Sequence, residues 1–241
     1  MSTAEKKRIL LVEDEPNLAF SLNFNLQAEG YEVLPATTGT AAIDMFEKAG
    51  PFDLILLDVM LPEMDGFEVA RKIRSTDGKT GILMLTALSD NESKINGLEA
   101  GVDDYITKPF HLAELLLRVK RMLERADLFA SSANTPAAAN GAQFEAGPIV
   151  LNTESLFLKT ETGEYQVTAL ECDILTEFLN NPGRVLSREH LLRQVWGVRG
   201  DVETRTVDNF IARLRKYLEP DPAKPQYLKS VRGRGYQLEL S

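Results

Sequence analysis

Short apolar runs and longer segments of helical spacing take turns through the first half of the chain. The runs cover 9–12 (ILLV), a weaker 31–34 (YEVL), 54–57 (LILL), 82–85 (ILML) and 105–107 (YIT). Each is short enough to cross a sheet once, and most are apolar without alternation, as strands covered on both faces are. Between them, apolar residues return every three or four positions over 18–27, 40–48, 67–74, 92–100 and 112–125. Five strands alternating with five helices predict a doubly wound α/β domain built on a parallel five-stranded sheet. The second half has another rhythm. Short β-like pieces at 148–152, 155–159 and 164–167 precede helical stretches at 169–180, 188–195 and about 203–218. Asn181-Pro182-Gly183 stops the first of these helices. Segments 227–231 and 236–240, joined by Arg232-Gly233-Arg234-Gly235, predict a closing β-hairpin with a basic tip.

Residues 128–144 (LFASSANTPAAANGAQF) hold no charge and no apolar period, which predicts a flexible connector. The expected organisation is therefore a domain at 1–127, a linker at 128–143 and a second domain at 144–241. A length of 241 residues accommodates two domains, and 44% hydrophobic residues exclude a wholly disordered chain. The best apolar run, 54–61, is broken by Asp58, so no membrane span is expected. The apolar stretch behind the basic N-terminus is too short for a signal peptide, which predicts a cytoplasmic protein. One cysteine, Cys172, allows no internal disulfide, and two histidines, His111 and His190, make a histidine zinc site improbable. The net charge of −9 conceals an asymmetry. Residues 1–125 carry 14 Lys and Arg against 21 Asp and Glu, whereas 184–241 carry 12 against 7. An acidic front and a basic back predict different partners for the two domains.

The first four chemical candidates sit where predicted strands end. Strand one runs into Glu13-Asp14, strand three into Asp58, strand four into Thr86 and strand five into Thr107-Lys108-Pro109. In open α/β sheets these ends share a crevice. Three carboxylates there repel one another, and a hard divalent cation relieves the repulsion. Mg²⁺ suits the set, since it needs few carboxylates and keeps positions for phosphate oxygens. With a lysine and a hydroxyl alongside, the chemistry implied is phosphoryl transfer to a carboxylate. Asp58 follows directly on the most apolar strand and is the expected nucleophile. A lone Asp after a buried strand ordinarily only caps the next turn, but four matched strand ends are a stronger signal. Gly78-Lys79-Thr80 imitates the end of a P-loop, yet Ile73 stands where its first glycine belongs. A dehalogenase-type phosphatase would need an Asp two residues after Asp58, where Met60 stands. No enzyme of turnover is expected.

The order Glu13-Asp14, Asp58 within LILLDVMLPEMDGFE, Thr86-Ala87 and Lys108-Pro109-Phe110 closely resembles the receiver domain of bacterial two-component response regulators, over about residues 7–125. The resemblance implies a flavodoxin-like fold and a sensor histidine kinase that phosphorylates Asp58. It implies Mg²⁺ held by Asp14, Asp58, Glu13 through water, and the Met60 backbone carbonyl. Lys108 is to contact the phosphoryl group before a cis bond to Pro109, Thr86 to swing towards the phosphate, and Tyr105 to follow it inward. The family's OmpR/PhoB branch implies a homodimer on phosphorylation. The matching cross-subunit pairs are Lys94 with Glu114, Asp104 with Arg118 and Asp103 with Arg125. Glu114 and Arg118 are also spaced for a pair within one helix.

In the basic half, Val207, Ile211, Leu214 and Leu218 form an inward stripe on the third helix. Arg205, Asn209, Ala212 and Lys216 lie opposite, flanked by Arg213. Cations and an amide on an exposed helix face suit the major groove of double-stranded DNA. Arg232 and Arg234 suit a narrow minor groove. The segments ALECDILTEFLNNPGRVLSREHLLRQVWG, RTVDNFIARLRKYLE and VRGRGYQL are similar to the C-terminal winged-helix domain of OmpR/PhoB-type regulators, an α+β fold. The similarity implies Asp208, Asn209 and Arg213 facing bases, Arg232 in the minor groove, and Arg205, Thr206, Arg215 and Trp196 on the backbone. It also implies a loop at 196–202 facing RNA polymerase. Phe210 and Ala212 stand where many relatives have polar or basic residues. The expected function is a phosphorylation-dependent transcriptional regulator binding tandem half-sites. The alternatives are an adaptor whose basic domain binds protein, or a regulator that binds DNA without phosphate.

Overall fold

The computed structural model describes residues 6–87, 100–132, 143–196 and 205–240, with side chains at 125–132 and 205 outside the description. The chain folds as two units, Met1–Ala126 and Asp127–Ser241. In the first, β1 (Arg8–Val12), α1 (Pro16–Ala28), β2 (Glu32–Ala36), α2 (Gly39–Ala49), β3 (Leu54–Asp58), α3 (Gly66–Arg74), β4 (Gly81–Thr86), β5 (Asp104–Thr107) and α4 (Leu112–Ser132) follow in order. The helix expected at 92–100 falls almost wholly outside the described residues. All strand pairs are parallel, in the order β2-β1-β3-β4-β5. Because successive side chains on a strand point to opposite faces, the strands serve two cores. Leu10, Val12, Ile55, Leu57, Ile82 and Met84 meet Val69, Ala70 and Ile73 of α3. Ile9, Leu11, Leu54, Leu56, Leu83 and Leu85 meet Leu22 and Leu26 of α1 and Leu115, Val119 and Leu123 of α4. With β3 buried at every position, its last residue, Asp58, is carried to the rim of the sheet.

Local chemistry then turns the chain at that rim. Pro16 occupies the first turn of α1, where its missing N–H costs nothing. Asp65 caps α3 by accepting from the Glu68 N–H at 2.8 Å. Gly66 packs its backbone against β3. A Cβ there would stand 2.1 Å from the Asp58 carbonyl oxygen, so the fold-back behind Asp58 requires glycine.

The second unit opens with an antiparallel sheet β6-β7-β8-β9 (Gln143–Ala146, Ile149–Asn152, Phe157–Lys159, Glu164–Gln166). Helices α5 (Ala169–Leu179), α6 (Arg188–Val195) and α7 (Arg205–Leu218) follow, with β10 (Val185–Leu186) between α5 and α6. Strands β11 (Leu228–Val231) and β12 (Gly235–Leu238) close it, in a sheet ordered β10-β12-β11. This is a winged-helix arrangement. One core, including Leu170, Leu175, Phe178, Leu191, Ile211, Leu214, Leu228 and Leu238, joins all three helices to both sheets. The sequence pattern does not announce β6 or β10. β10 has two residues, too few to show an alternation, and it pairs because Gly235 lets β12 approach. At φ 140°, a Cβ on Gly235 would lie 2.0 Å from the Leu186 carbonyl oxygen. No described helix is long and apolar enough to cross a membrane.

Candidate functional site

The register of the parallel sheet brings the expected chemical groups together. Glu13, Asp14 and Asp58 each place a carboxylate oxygen within 4.8 Å of the others. Glu13 and Asp58 are buried, and Asp14 is exposed to solvent. Lys108, at the end of β5, bridges them: its Nζ donates to Asp58 Oδ2 at 2.6 Å and to Glu13 Oε2 at 2.9 Å. The Met60 N–H donates to Asp58 Oδ1 at 3.2 Å, and the Glu15 N–H to Glu13 Oε1 at 3.3 Å. Burial pushes the Glu13 carboxyl above its ordinary value, with Lys108 opposing and the Asp58 charge reinforcing the shift. Burial acts to lower Lys108, but its hydrogen bonds and charge contacts with Asp58 and Glu13 outweigh it and hold the ammonium protonated. A cation clamped between two acids next to a third leaves a formal charge of −2, which one divalent cation balances. All three acids offer hard oxygen donors, the donor set that suits Mg²⁺.

Thr86 lies buried at the end of β4, and its carbonyl accepts from the Lys108 N–H at 2.6 Å. The Lys108–Pro109 bond is cis. Tyr105, on β5, is half-buried against the core shared with α3. Among the described residues expected to bridge two subunits, Asp103, Asp104, Glu114 and Arg118 are committed within one chain. Arg118 of α4 donates to Asp104 at 2.6 Å and to Glu114 at 2.8 Å. Burial raises the Asp104 carboxyl despite the Arg118 charge beside it. Asp103 corrects an expectation, because it is buried rather than on the dimer face. Its Oδ2 accepts from Arg74 at 2.6 Å and from the Ile82 N–H at 2.8 Å. The cause is Arg74, itself largely buried, whose guanidinium gathers the Gly101, Asp77 and Thr80 carbonyls and needs one carboxylate to balance it. Lys94 and the Arg125 side chain lie outside the described residues.

Helix α7 presents part of the face expected of it. Ala212 and Lys216 are exposed and Asn209 is half-buried, while Arg232 and Arg234 are exposed at the hairpin tip. The Arg205 side chain and most of the 196–202 loop lie outside the described residues. Two residues depart from expectation. Arg213 is 4% exposed, paired with the buried Glu171 of α5, and its guanidinium covers the Phe210 ring at 4.3 Å. Thr206 is buried as well. Positions 206, 210, 213 and 217 share one flank of a helix. That flank packs against neighbouring elements beside the apolar stripe, so the covered arc of α7 is wider than the stripe alone. Phe210, apolar and buried, belongs to it and is core rather than a lost backbone contact. Trp196 packs edge-on against Phe210 at 5.4 Å. Arg215 is half-buried and reaches the wing, donating to the Leu228 carbonyl at 2.7 Å and Ser230 Oγ at 3.0 Å. Asp208 accepts from Arg188 and Tyr236.

Glu171 escaped the sequence reading, although Thr168-x-x-Glu171 is the spacing of a capping box. Tyr236 and Arg188 carried no signal of their own, since their contacts join residues 28 and 20 positions apart from Asp208. The uncharged outer face of α1, with Phe20 and Phe24 stacked in solvent, also passed unnoticed.

Comparison with known proteins assigns both units. Residues 9–120 match the response regulator receiver domain, and residues 162–238 match the transcriptional regulatory protein C-terminal domain. The chain is 38% identical over 231 residues to the sensory transduction protein RegX3 of Mycolicibacterium smegmatis, covering 96% of this chain and 98% of that one. It is 38% identical to the alkaline phosphatase synthesis transcriptional regulatory protein PhoP of Bacillus subtilis, covering 97% of each. Among solved structures, DrrB of Thermotoga maritima, described as an OmpR/PhoB homologue, shares 34% identity at a TM-score of 0.51, covering 98% of this chain and all of that one. A RitR mutant reaches a TM-score of 0.75 at 29% identity with the same coverage.

Proposed function

The chain belongs to the OmpR/PhoB-type response regulators, and from that membership we propose that Asp58 accepts phosphoryl from a sensor histidine kinase to control DNA binding by the winged helix. The observation that carries this reading is the cluster of Glu13, Asp14, Asp58 and Lys108 at one rim of the sheet. In the proposed step an Asp58 carboxylate oxygen attacks the phosphorus of a phosphohistidine. The new O–P bond forms as the N–P bond breaks, and the imidazole leaves with the electron pair and takes a proton from water. Asp14, Asp58, the Met60 carbonyl and Glu13 would hold Mg²⁺, which would supply positive charge for the phosphoryl oxygens. The ammonium of Lys108, already 2.6 Å from Asp58, stays beside the transferred group as a second counter-charge. The Met60 N–H, on Asp58 Oδ1, orients the carboxylate.

Acyl phosphorylation adds charge and acceptor oxygens beside Thr86. Its hydroxyl donates to them, its loop follows, and Tyr105 moves into the space released. The face remodelled is that of β5 and the helix expected at 92–100; beside it, Arg118 of α4 holds Asp104 and Glu114. Exchange of the Asp104–Arg118 pair between two copies, with Lys94 reaching Glu114 of the other copy, forms a symmetric homodimer, as a two-fold interface requires. Asp104 is already buried and paired within one chain, so exchanging its partner re-forms a bridge rather than adding one, and the pairs set register rather than affinity. Two winged helices then occupy tandem half-sites on double-stranded DNA, and the segment expected as a loop at 196–202 faces RNA polymerase. Asn209, Lys216, Arg232 and Arg234, with Arg205, form the contact set.

Acetyl phosphate bearing labelled phosphorus tests the first step. The protein should take up one phosphate in the presence of Mg²⁺, and Asp58→Asn should take up none. Undiminished labelling of Asp58→Asn at another residue would overturn the assignment.

A further inference from the structure

The Asp208 carboxylate faces the wing as well as solvent. Its Oδ1 accepts from the Tyr236 hydroxyl at 2.7 Å and from Arg188 Nε at 2.6 Å. Arg188 also donates to the Tyr236 oxygen at 2.9 Å, and its guanidinium lies 4.8 Å from the centre of the Tyr236 ring. The three groups therefore complete a directed ring. The phenol gives its one proton to the carboxylate and accepts from the cation, and the cation balances the acid. Burial, helped by the Asp208 carboxylate, pushes the Tyr236 phenol up to about 12, so that proton is present at neutral pH. Each group comes from a different element: Asp208 from the first turn of α7, Arg188 from the start of α6, Tyr236 from β12.

A second tie lies two turns along. Arg215 donates twice to the Leu228 carbonyl, at 2.9 and 2.7 Å, and once to Ser230 Oγ, at 3.0 Å. Asp208 and Arg215 are seven residues apart and so share a flank of α7. Helix and hairpin are thus fastened at two points along one seam, while Asn209, Ala212 and Lys216 face away from it.

Resting on the DNA-binding reading above, we propose that Asp208 is a positioning residue rather than a reader of bases: with Tyr236 and Arg188 it latches the recognition helix to the wing strand. Arg232 and Arg234 stand four and two residues before Tyr236. A helix in the major groove and a hairpin tip in the minor groove gain affinity together only when the distance between them is fixed beforehand. Tyr236 is 4% exposed and cannot touch DNA, so its hydroxyl can influence binding only through this seam.

The test compares Tyr236→Phe, Asp208→Ala and the double variant in the full chain. The duplex is one selected from random sequence by the unmodified protein. Tyr236→Phe keeps the ring and its contact with Arg188 and removes only the hydroxyl. Loss of a hydrogen bond to a charged group predicts about tenfold weaker binding for Tyr236→Phe. Asp208→Ala should bind no better, the double variant should lose no more than Asp208→Ala alone, and all should select the same sequence. In DNA-free protein, amide exchange over 235–238 should quicken in both single variants. If Asp208→Ala changes the preferred base at one position while Tyr236→Phe binds as before, Asp208 reads that base and the latch is refuted. If the unmodified protein selects no duplex, the DNA-binding reading fails. Exchange alone then decides the latch, and unchanged exchange in Tyr236→Phe overturns it.

Discussion

Glu171 serves two structures at once. One carboxylate oxygen accepts from the Thr168 N–H at 2.6 Å while the Thr168 hydroxyl accepts from the Glu171 N–H, a capping box that starts α5. The other oxygen pairs with Arg213 of α7, and both side chains are almost wholly buried. Burial, followed by the Glu171 charge, pushes the nearby Tyr217 phenol far above its ordinary value. A buried ion pair adds little net stability, but removing one partner strands a charge and costs about 3–5 kcal/mol. Arg213→Ala should therefore lower the unfolding free energy of the second unit by about 3 kcal/mol or more. Replacing both residues, Glu171→Leu with Arg213→Met, should recover all but about 1 kcal/mol, the share belonging to the lost cap. Trp196 is the one tryptophan of the chain and lies against Phe210, so its fluorescence in urea follows this unit alone. An unchanged midpoint in Arg213→Ala, accompanied by loss of DNA binding, would return Arg213 to the bases.

Among the elements, α1 is unusual in carrying no charged side chain across PNLAFSLNFNLQA. Leu22 and Leu26 fill the core below it, while Phe20 and Phe24, 73% and 63% exposed, stack on each other in solvent. The helix begins two residues after Asp14, so its first turn lies beside the acid pocket. A protein that delivers phosphoryl to Asp58 has to rest on the elements around that pocket, whereas a small donor does not. Phe20→Ser with Phe24→Ser should slow transfer from the kinase by about tenfold or more, given roughly 1.5–3 kcal/mol per buried aromatic. Labelling by acetyl phosphate should stay unchanged, and equal slowing with both donors would sink the idea. How much of this was readable in the sequence follows from the same geometry. The five strands and their polar ends showed because buried runs and strand-end residues are local features. The extent of α7's covered arc did not, because Arg213 reads as a surface cation until Glu171, 42 residues earlier, is placed against it. Asp103 failed for the same reason, its partner Arg74 lying 29 residues away. A resemblance transfers the role of a position but not the local partner that occupies its side chain.

At the scale of the whole molecule, charge decides which half meets DNA and how steeply salt acts on it. The protein is acidic overall, at −9: residues 1–125 and 126–183 each carry a balance of −7 and repel a phosphate backbone, whereas 184–241 carry +5. The basic residues of 184–241 are not all available either. Arg188, Arg193, Arg213 and Lys229 are paired with Asp208, Glu189, Glu171 and Glu239. Lys216, Arg232 and Arg234 are exposed on the proposed contact face, whatever neighbours they also touch, with Arg205 at the start of α7. Three to four phosphates neutralised per copy predict that log K falls with log salt at a slope of about −3 to −4. Arg232→Ala should flatten that slope by about 0.9, whereas Arg213→Ala should leave it unchanged and act through stability. Activation with beryllofluoride should make two copies bind one tandem site and about double the slope, because each brings its own phosphate contacts. Titration of the selected duplex between roughly 50 and 200 mM salt, with and without activation, measures both terms. A slope that activation leaves unchanged would mean that the receiver does not assemble the winged helices in pairs. A slope near zero in either state would mean that the basic residues of 184–241 hold something other than a phosphate backbone.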